Sequence, residues 1–242
     1  GWRARVLVTG ADTDGAGGID PRLAPWPTWL GLLGQTGFTA YVGLTRIAEL
    51  RPGDTVLVSA AAGAVGTAAG QFARLLGAER VLGTAGGPVK CGLLVEEFGY
   101  DDAADYRAEP VREALARMAP DGIDVYFDNV GGEQLAAALH ALRTGGRVAL
   151  CGMMSQFGGE RRTVDINQLI QAVLKRLTLT GFIVRDHDDL RPEFEQRVAG
   201  WLAEGRITTR ETVVDGLENA PGALLSLLGG GNVGKMRVRL PD

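Results

Sequence analysis

The chain has 242 residues, of which 45% are hydrophobic and 22% charged, with a formal net charge of −4 and a pI near 5.3. That balance supports a sizeable core and excludes global disorder. With no lysine–arginine cluster, it also argues against nucleic acid or an anionic membrane surface as a partner.

The chain opens on Gly1 and a strand-like segment at residues 2–9. A lone strand has unpaired edges that need neighbours, which points to a fragment or processed product with a front part ahead of it. Residues 10–29, rich in Gly, Asp and Pro, read as a loop or linker. Residues 30–50 are helical in pattern with an interruption near Gly37, and Arg51-Pro52-Gly53-Asp54 is a turn into the first sheet strand.

The most informative stretch follows. Residues 55–59, Thr-Val-Leu-Val-Ser, form an apolar, β-branched run fit for a strand buried on both faces. Gly63 and Gly66 come next, and the apolar spacing then lengthens to Val65, Ala69, Phe72 and Leu76, a helical face. Gly63 lets a diphosphate approach the backbone, and Gly66 lets the helix pack tightly on the strand. The helix N-terminus, at Ala64 and Val65, supplies free N–H groups and a positive dipole end. Ala61 stands where G-x-G-x-x-G has its first glycine. With a strand before and a helix after, the pattern reads as a dinucleotide site.

An NAD site carries an acidic residue at the end of the second strand, about twenty residues past the glycines, to bond the ribose 2′-OH. Here that strand is residues 80–84, followed by Ala85-Gly86-Gly87-Pro88, with no Asp or Glu in place. Thr84 offers a hydroxyl and Lys90 a cation, which is what a 2′-phosphate wants. The expected cofactor is NADP(H).

The βα rhythm then repeats. Helices are expected at 88–98, 111–118 and 133–142, and strands at 103–106, 123–127, 147–150 and 177–184, with Asp165 capping a helix that runs to Arg176. Such alternation means a doubly wound parallel α/β sheet of the Rossmann kind, covered by helices on both faces. After Asp186 the rhythm changes to a helix at 192–204, a strand at 211–214, a helix at 217–228 and a closing strand at 235–240.

Ligands in such sheets bind beyond the carboxyl ends of the strands. Those ends are 63–66, 83–87, 128–132, 151–157 and 182–184. Asn129 offers an amide to a ribose or nicotinamide, or it belongs to a turn that merely caps the next helix; spacing alone leaves both open. Gly229-Gly-Gly-Asn-Val-Gly-Lys235 matches most of a P-loop, but Met236 replaces the required Ser or Thr and the flanking elements are reversed. No tyrosine has a lysine four residues later, which excludes a Tyr-x-x-x-Lys reductase. Cys91, Cys151, His140 and His187 match no metal-ligand spacing, so no metal site is expected. Nor is a disulfide framework, which favours a reducing cytosol. No signal peptide or spanning segment is visible.

Several segments together resemble a known family: 37–44 (GFTAYVGL), 58–66 (VSAAAGAVG), 125–132 (VYFDNVGG), 151–156 (CGMMSQ), 181–184 (GFIV), 216–221 (GLENAP) and 232–235 (NVGK). They run in order over nearly the whole chain. The chain is similar to the zinc-free medium-chain dehydrogenase/reductases of the prostaglandin reductase (leukotriene B4 12-hydroxydehydrogenase) and plant double-bond reductase group. The resemblance implies NADPH-dependent reduction of the carbon–carbon double bond of enones or enals, with hydride passing from nicotinamide C4 to the β-carbon. Carried over by motif, Gly63, Ala64, Val65 and Gly66 would hold the diphosphate, and Lys90 and Tyr106 the adenosine phosphate. Asn129, Cys151, Gly152, Ser155, Phe157, Phe182, Ile183, Val184 and Asn232 would line the remaining cleft. Phe157 departs from the family's usual tyrosine, and a phenyl ring cannot donate a proton; the acid would then be water, a ribose hydroxyl or a residue elsewhere.

The resemblance also implies three parts. Residues 1–29 would be the exit segment of a largely absent GroES-like barrel lobe, 30–206 the NADP(H)-binding Rossmann domain, and 207–242 a segment returning to that lobe. Remnants of the barrel are thus expected at both chain ends, and the closing strand should have little to pair with. A small-molecule enone or enal, a dimer joined through the sheet edge and a cytoplasmic location complete the expectation. The rivals are a non-catalytic NADP(H)-binding module and a zinc-free quinone reductase, which shares much of this core.

Overall fold

A computed structural model describes residues 19–156 and 166–240. Six parallel strands make one sheet: β1 (Thr55–Val58), β2 (Arg80–Ala85), β3 (Asp102–Asp105), β4 (Ile123–Asp128), β5 (Leu142–Leu150) and β6 (Thr178–Gly181), in the order β3-β2-β1-β4-β5-β6. Because β1 pairs with β2 on one side and β4 on the other, the order reverses at β1. A crevice opens there at the strands' carboxyl ends.

Strand side chains alternate between faces, and two cores follow from that. Val56, Val58, Val81, Val125 and Phe127 join the first core, with α1 (Gln35–Val42), α2 (Ala64–Leu75) and α7 (Arg191–Ala203). Leu57, Leu82, Tyr126 and Val148 face the second, under α4 (Val111–Met118) and α5 (Gly132–Ala141). Ile123 shares the odd numbering of Val125 yet sits in the second core, because the β4–β5 register shifts between those two residues. Both faces are therefore covered, as the apolar run of β1 requires. The remaining helices are α3 (Pro88–Glu97), α6 (Ile170–Lys175) and α8 (Ala220–Leu228).

The start of α2 is set by a close approach. A Cβ on Gly66 would stand 2.5 Å from the carbonyl oxygens of both Ala60 and Ala61, so the helix packs on the turn only without a side chain there. The Gly66 carbonyl accepts the Tyr100 hydroxyl at 2.7 Å, which fastens the same turn of helix from the other side.

The structure departs from expectation at several points. The break in the 30–50 helical segment falls before α1, at 31–34, and Gly37 is buried inside the helix; a Cβ there would meet the Leu32 carbonyl oxygen, so glycine serves a chain crossing. The strand expected at 147–150 begins at Leu142. The strand expected at 177–184 ends at Gly181, because the chain turns into a short 3-10 segment, Val184–Leu190. The expected cap, Asp165, and the opening strand at 2–9 lie outside the described residues.

The closing strand is a further correction. β8 (Lys235–Arg239) does not stand alone: it pairs in parallel with β7 (Glu211–Asp215), from Glu211↔Lys235 to Asp215↔Arg239. α8 supplies the crossover between them, so this segment provides its own partner. The Gly234 N–H also donates to the Ala62 carbonyl at 2.8 Å, joining the unit to the glycine turn.

Overpacking a close contact costs about 1–3 kcal/mol, occasionally more. Gly66→Ala is therefore expected to lower the thermal midpoint by several degrees in differential scanning calorimetry, whether or not a ligand is bound. An unchanged midpoint would show that the turn relaxes freely.

Candidate functional site

The turn after β1 runs through Ala60, which has a positive φ of 47°, and reaches Gly63 as the cap residue of α2. Gly63 is extended, with φ −80° and ψ 175°, and a Cβ on it would meet only the Ala60 carbonyl oxygen, at 3.2 Å. Its side-chain position otherwise faces open space, in contrast to the crowding at Gly66. The methyl of Ala61 is accommodated by a glycine in the neighbouring strand: a Cβ on Gly83 would lie 2.9 Å from it.

Among the described residues no carboxylate from the end of β2 lines the crevice, where a ribose diol would need one. Asp105, at the end of neighbouring β3, spends Oδ1 on the backbone N–H groups of Gly87 (2.8 Å) and Arg107 (3.0 Å). Thr84 is also spent: it is buried and its hydroxyl donates to Gln134 Oε1 at 2.6 Å, so the hydroxyl expected to serve a ligand serves the core. Tyr106 is exposed, and the Arg107 guanidinium lies 5.9 Å from its ring centroid. Lys90 reaches in from α3; burial, and then the nearby Arg107 charge, hold its ammonium below the usual lysine range.

Beyond β4 the polar groups converge on one buried carboxylate. Asp128 Oδ1 accepts from the Tyr126 hydroxyl (2.8 Å), the Val130 N–H (3.0 Å), the Gly131 N–H (2.8 Å) and the Ser59 hydroxyl (3.2 Å). Asn129 donates its side-chain amide to the Ser59 carbonyl at 2.7 Å and its backbone N–H to the Ser59 hydroxyl at 2.9 Å. The β4–α5 turn is thereby tied to the end of β1. Asn129 does not cap α5, whose cap residue is Gly131 with no side-chain cap bond; it is buried and borders the crevice.

At the end of β5, Cys151 and Gly152 donate their N–H groups to the Asp128 carbonyl, and Ser155 donates to that of Val130. Burial, and then the Asp128 charge, push the Cys151 thiol up to about 12. At neutral pH it is protonated and a poor nucleophile. Ser155 Oγ and Asp128 Oδ2 are buried and have no hydrogen-bond partner among the described residues. Of the two residues only Ser155 lines the cleft, where its Oγ is free to bond a bound group or water.

These elements border one cleft of about 1290 Å³. Gly63, Ala64, Val65, Gly66, Lys90, Tyr106, Asn129, Cys151, Gly152, Ser155 and Asn232 all line it. Phe182, Ile183 and Val184 are not among its lining residues. A Cβ on Gly43 would come within 3.2 Å of the Phe182 ring, Ile183 is exposed, and Val184 is buried. All three follow the end of β6 directly. Phe157 lies outside the described residues. Three cations not assigned from the sequence, Arg107, Arg112 and Lys235, also line the cleft. Strand order was the available signal: it sets the end of β3 beside the end of β2, so the residue after Tyr106 had to lie near Lys90's end of the crevice. Among the described residues no three His, Cys, Asp or Glu side chains gather as a metal site would need.

Residues 64–204 match the family described as zinc-binding dehydrogenase. The chain is 42% identical to (+)-pulegone reductase from Mentha piperita, over 91% of this chain and 64% of the relative. It is 41% identical to the NADP(+)-dependent 2-alkenal reductase of Nicotiana tabacum, over 98% of this chain and 68% of the relative. The crystal structure of CurA from Vibrio vulnificus in complex with NADPH superposes with a TM-score of 0.83 at 42% identity, covering 89% of this chain and 66% of that one. The chain thus spans about two thirds of the length of the relatives it matches. It belongs to the zinc-binding dehydrogenase family, within the medium-chain dehydrogenase/reductase group that includes the prostaglandin reductases and plant double-bond reductases.

Proposed function

We propose that this chain binds NADP(H) and forms the cofactor-holding part of a reductase that saturates the carbon–carbon double bond of enones or enals. The observation that carries the reading is the paired cations, Lys90 and Arg107, at the end of β2 where an NAD site would carry a carboxylate. A 2′-phosphate is matched by charge-assisted hydrogen bonds from such a pair, and relatives at about 40% identity are named as NADP-dependent and enone-reducing enzymes.

The cleft fits the group. The open Gly63 turn and the first N–H groups of α2 would take the diphosphate, and Lys90, Tyr106 and Arg107 the adenosine phosphate. Asn129, Cys151, Gly152, Ser155 and Asn232 would border the nicotinamide half, where Ser155 Oγ awaits a partner. When bound, NADPH supplies the hydride. The chain's own share is to fix the ring: the Asp128 hub stiffens the turn beneath it, and the protonated Cys151 thiol keeps a nucleophile away from an electrophilic alkene. The motif that would align Phe182, Ile183 and Val184 with the cofactor has no support from the cleft, and these residues are not proposed as ligands.

The finer expectations rest on lesser observations. Residues 30–206 correspond to the dinucleotide-binding domain and 207–242 to a segment that, in a longer protein, would adjoin a substrate lobe. Zinc independence is supported by the absence of ligand spacing in the sequence. β6 is an edge strand with unpaired backbone groups, and the neighbouring α6 exposes Ile170, Val173 and Leu174; a second copy of the chain pairing along that edge would cover both. No described helix is long and apolar enough to cross a membrane, which agrees with a cytoplasmic site of action.

Oxidation of NADPH by the purified protein in the presence of a simple enone, with the saturated ketone as product, is the direct test. A protein that binds NADPH but consumes it with neither enones nor quinones would overturn the reductase reading and leave a binding module. Lys90→Ala is expected to weaken NADPH by about 1.5–3 kcal/mol in calorimetric titration while NADH barely changes; equal losses would remove Lys90 from the phosphate. Gly63→Val should keep the circular dichroism spectrum and lose dinucleotide binding, since its side chain would enter the diphosphate's space rather than the packed turn. Unaltered NADPH affinity would show the turn to be misassigned.

A further inference from the structure

The two cations at the adenosine end are held without a carboxylate. Lys90 Nζ donates to the Gly230 carbonyl at 2.6 Å, and Arg107 Nη2 to the Gly229 carbonyl at 3.3 Å. Among the described residues neither side chain forms an ion pair with an acid, and Asp105 is engaged by backbone N–H groups. The difference matters chemically. A carboxylate would steady either cation but cancel a charge that a dianionic phosphate needs. A carbonyl dipole steadies the cation and leaves its charge intact. Burial first, and then the repulsion from Arg107 that this permits, lower the proton affinity of Lys90.

The loop that supplies the carbonyls is itself fixed. Gly230 has φ +73°, a region that L side chains avoid and Asn tolerates best. Its N–H donates to the Leu227 carbonyl at 3.0 Å, and that of Gly231 to Ser226 at 2.7 Å. Downstream, the Asn232 amide holds the Gly234 carbonyl at 2.8 Å, and the Gly234 N–H reaches the glycine turn at Ala62. The carbonyls are thus aimed by a backbone anchored at both ends.

We propose that the Gly229–Gly231 loop is a positioning element of the 2′-phosphate subsite: its carbonyls aim Lys90 and Arg107 and hold them together un-neutralised, so that loop conformation sets the preference for phosphorylated over unphosphorylated dinucleotide. This rests on the NADP(H) reading above and extends it, because selectivity is assigned to backbone that need not touch the phosphate.

Calorimetric binding of adenosine 2′,5′-bisphosphate and of 5′-AMP separates the possibilities. The unaltered protein should prefer the bisphosphate; equal affinities would remove the phosphate subsite itself, a failure of the cofactor reading. Gly230→Val, which cannot hold φ +73° comfortably, should cut the preference at least about tenfold, almost all of it through weaker bisphosphate binding. Gly230→Asn, which tolerates that φ, should retain it. A folded Gly230→Val with the original preference would overturn the proposal while leaving the cofactor reading intact. Should the valine variant fail to fold, Gly230→Ala makes the same comparison, and a preference unaltered there is equally fatal.

Discussion

The absence of a side chain at Gly66 is the constraint on which the rest of the molecule depends. Two carbonyl oxygens press on that position, so α2 can begin directly above the end of β1 and nowhere else. Its first N–H groups are thereby directed into the crevice, the Ala62 carbonyl is turned outward to receive Gly234, and Tyr100 closes over the helix to bond Gly66. The phosphate cradle, the attachment of the closing strand and the packing of the first core thus share one steric origin.

The cleft's cations are unevenly held. Lys90 and Arg107 sit together on neighbouring carbonyls, and Arg112 and Lys235 also line the cleft. Elsewhere Asn129, Cys151, Ser155 and the carboxylate-bearing Glu133 border the crevice, with the thiol protonated and Asp128 buried among donors behind the lining. A ligand carrying both phosphates and an uncharged ring is the natural complement. The Asp128 hub stiffens the β4 side of the cleft: a single oxygen collects two hydroxyls and two backbone N–H groups, from Ser59 just past β1, from β4 and from the turn that follows.

Much of this was legible in the sequence where a local rule and the global fold agree. The run of strand, glycine turn and helix at 55–76, the βα rhythm and the boundaries of α4 all follow from apolar periodicity, and the missing carboxylate after β2 from simple inspection. What escaped had a tertiary cause. Thr84 looks available until α5 brings Gln134 to it. Gly37 reads as a helix break, yet it lies inside a helix because a preceding turn crosses there. β6 stops at Gly181, short of the expected 184, and the apolar β-branched character of the residues that follow gives no sign of that end. Arg107 was hidden because its meaning comes from the strand order, and β8 was misjudged because its partner β7 lies only a helix away, in a segment whose changed rhythm looked foreign to the sheet.

The packing of Ala61 against Gly83 bears on how such turns are recognised. The two positions share one methyl group's worth of space across neighbouring strands. Counted within its own turn, Ala61 is a defect in the glycine pattern; counted with Gly83, the occupied volume is what the site allows. The steric requirement is a sum over two distant positions, so their substitutions are coupled and not additive. The Tyr100 ring, 3.0 Å from the same position, keeps residue 83 a glycine as well, so a fingerprint that scores glycines one turn at a time will pass over dinucleotide sites whose missing glycine is matched by one in the neighbouring strand.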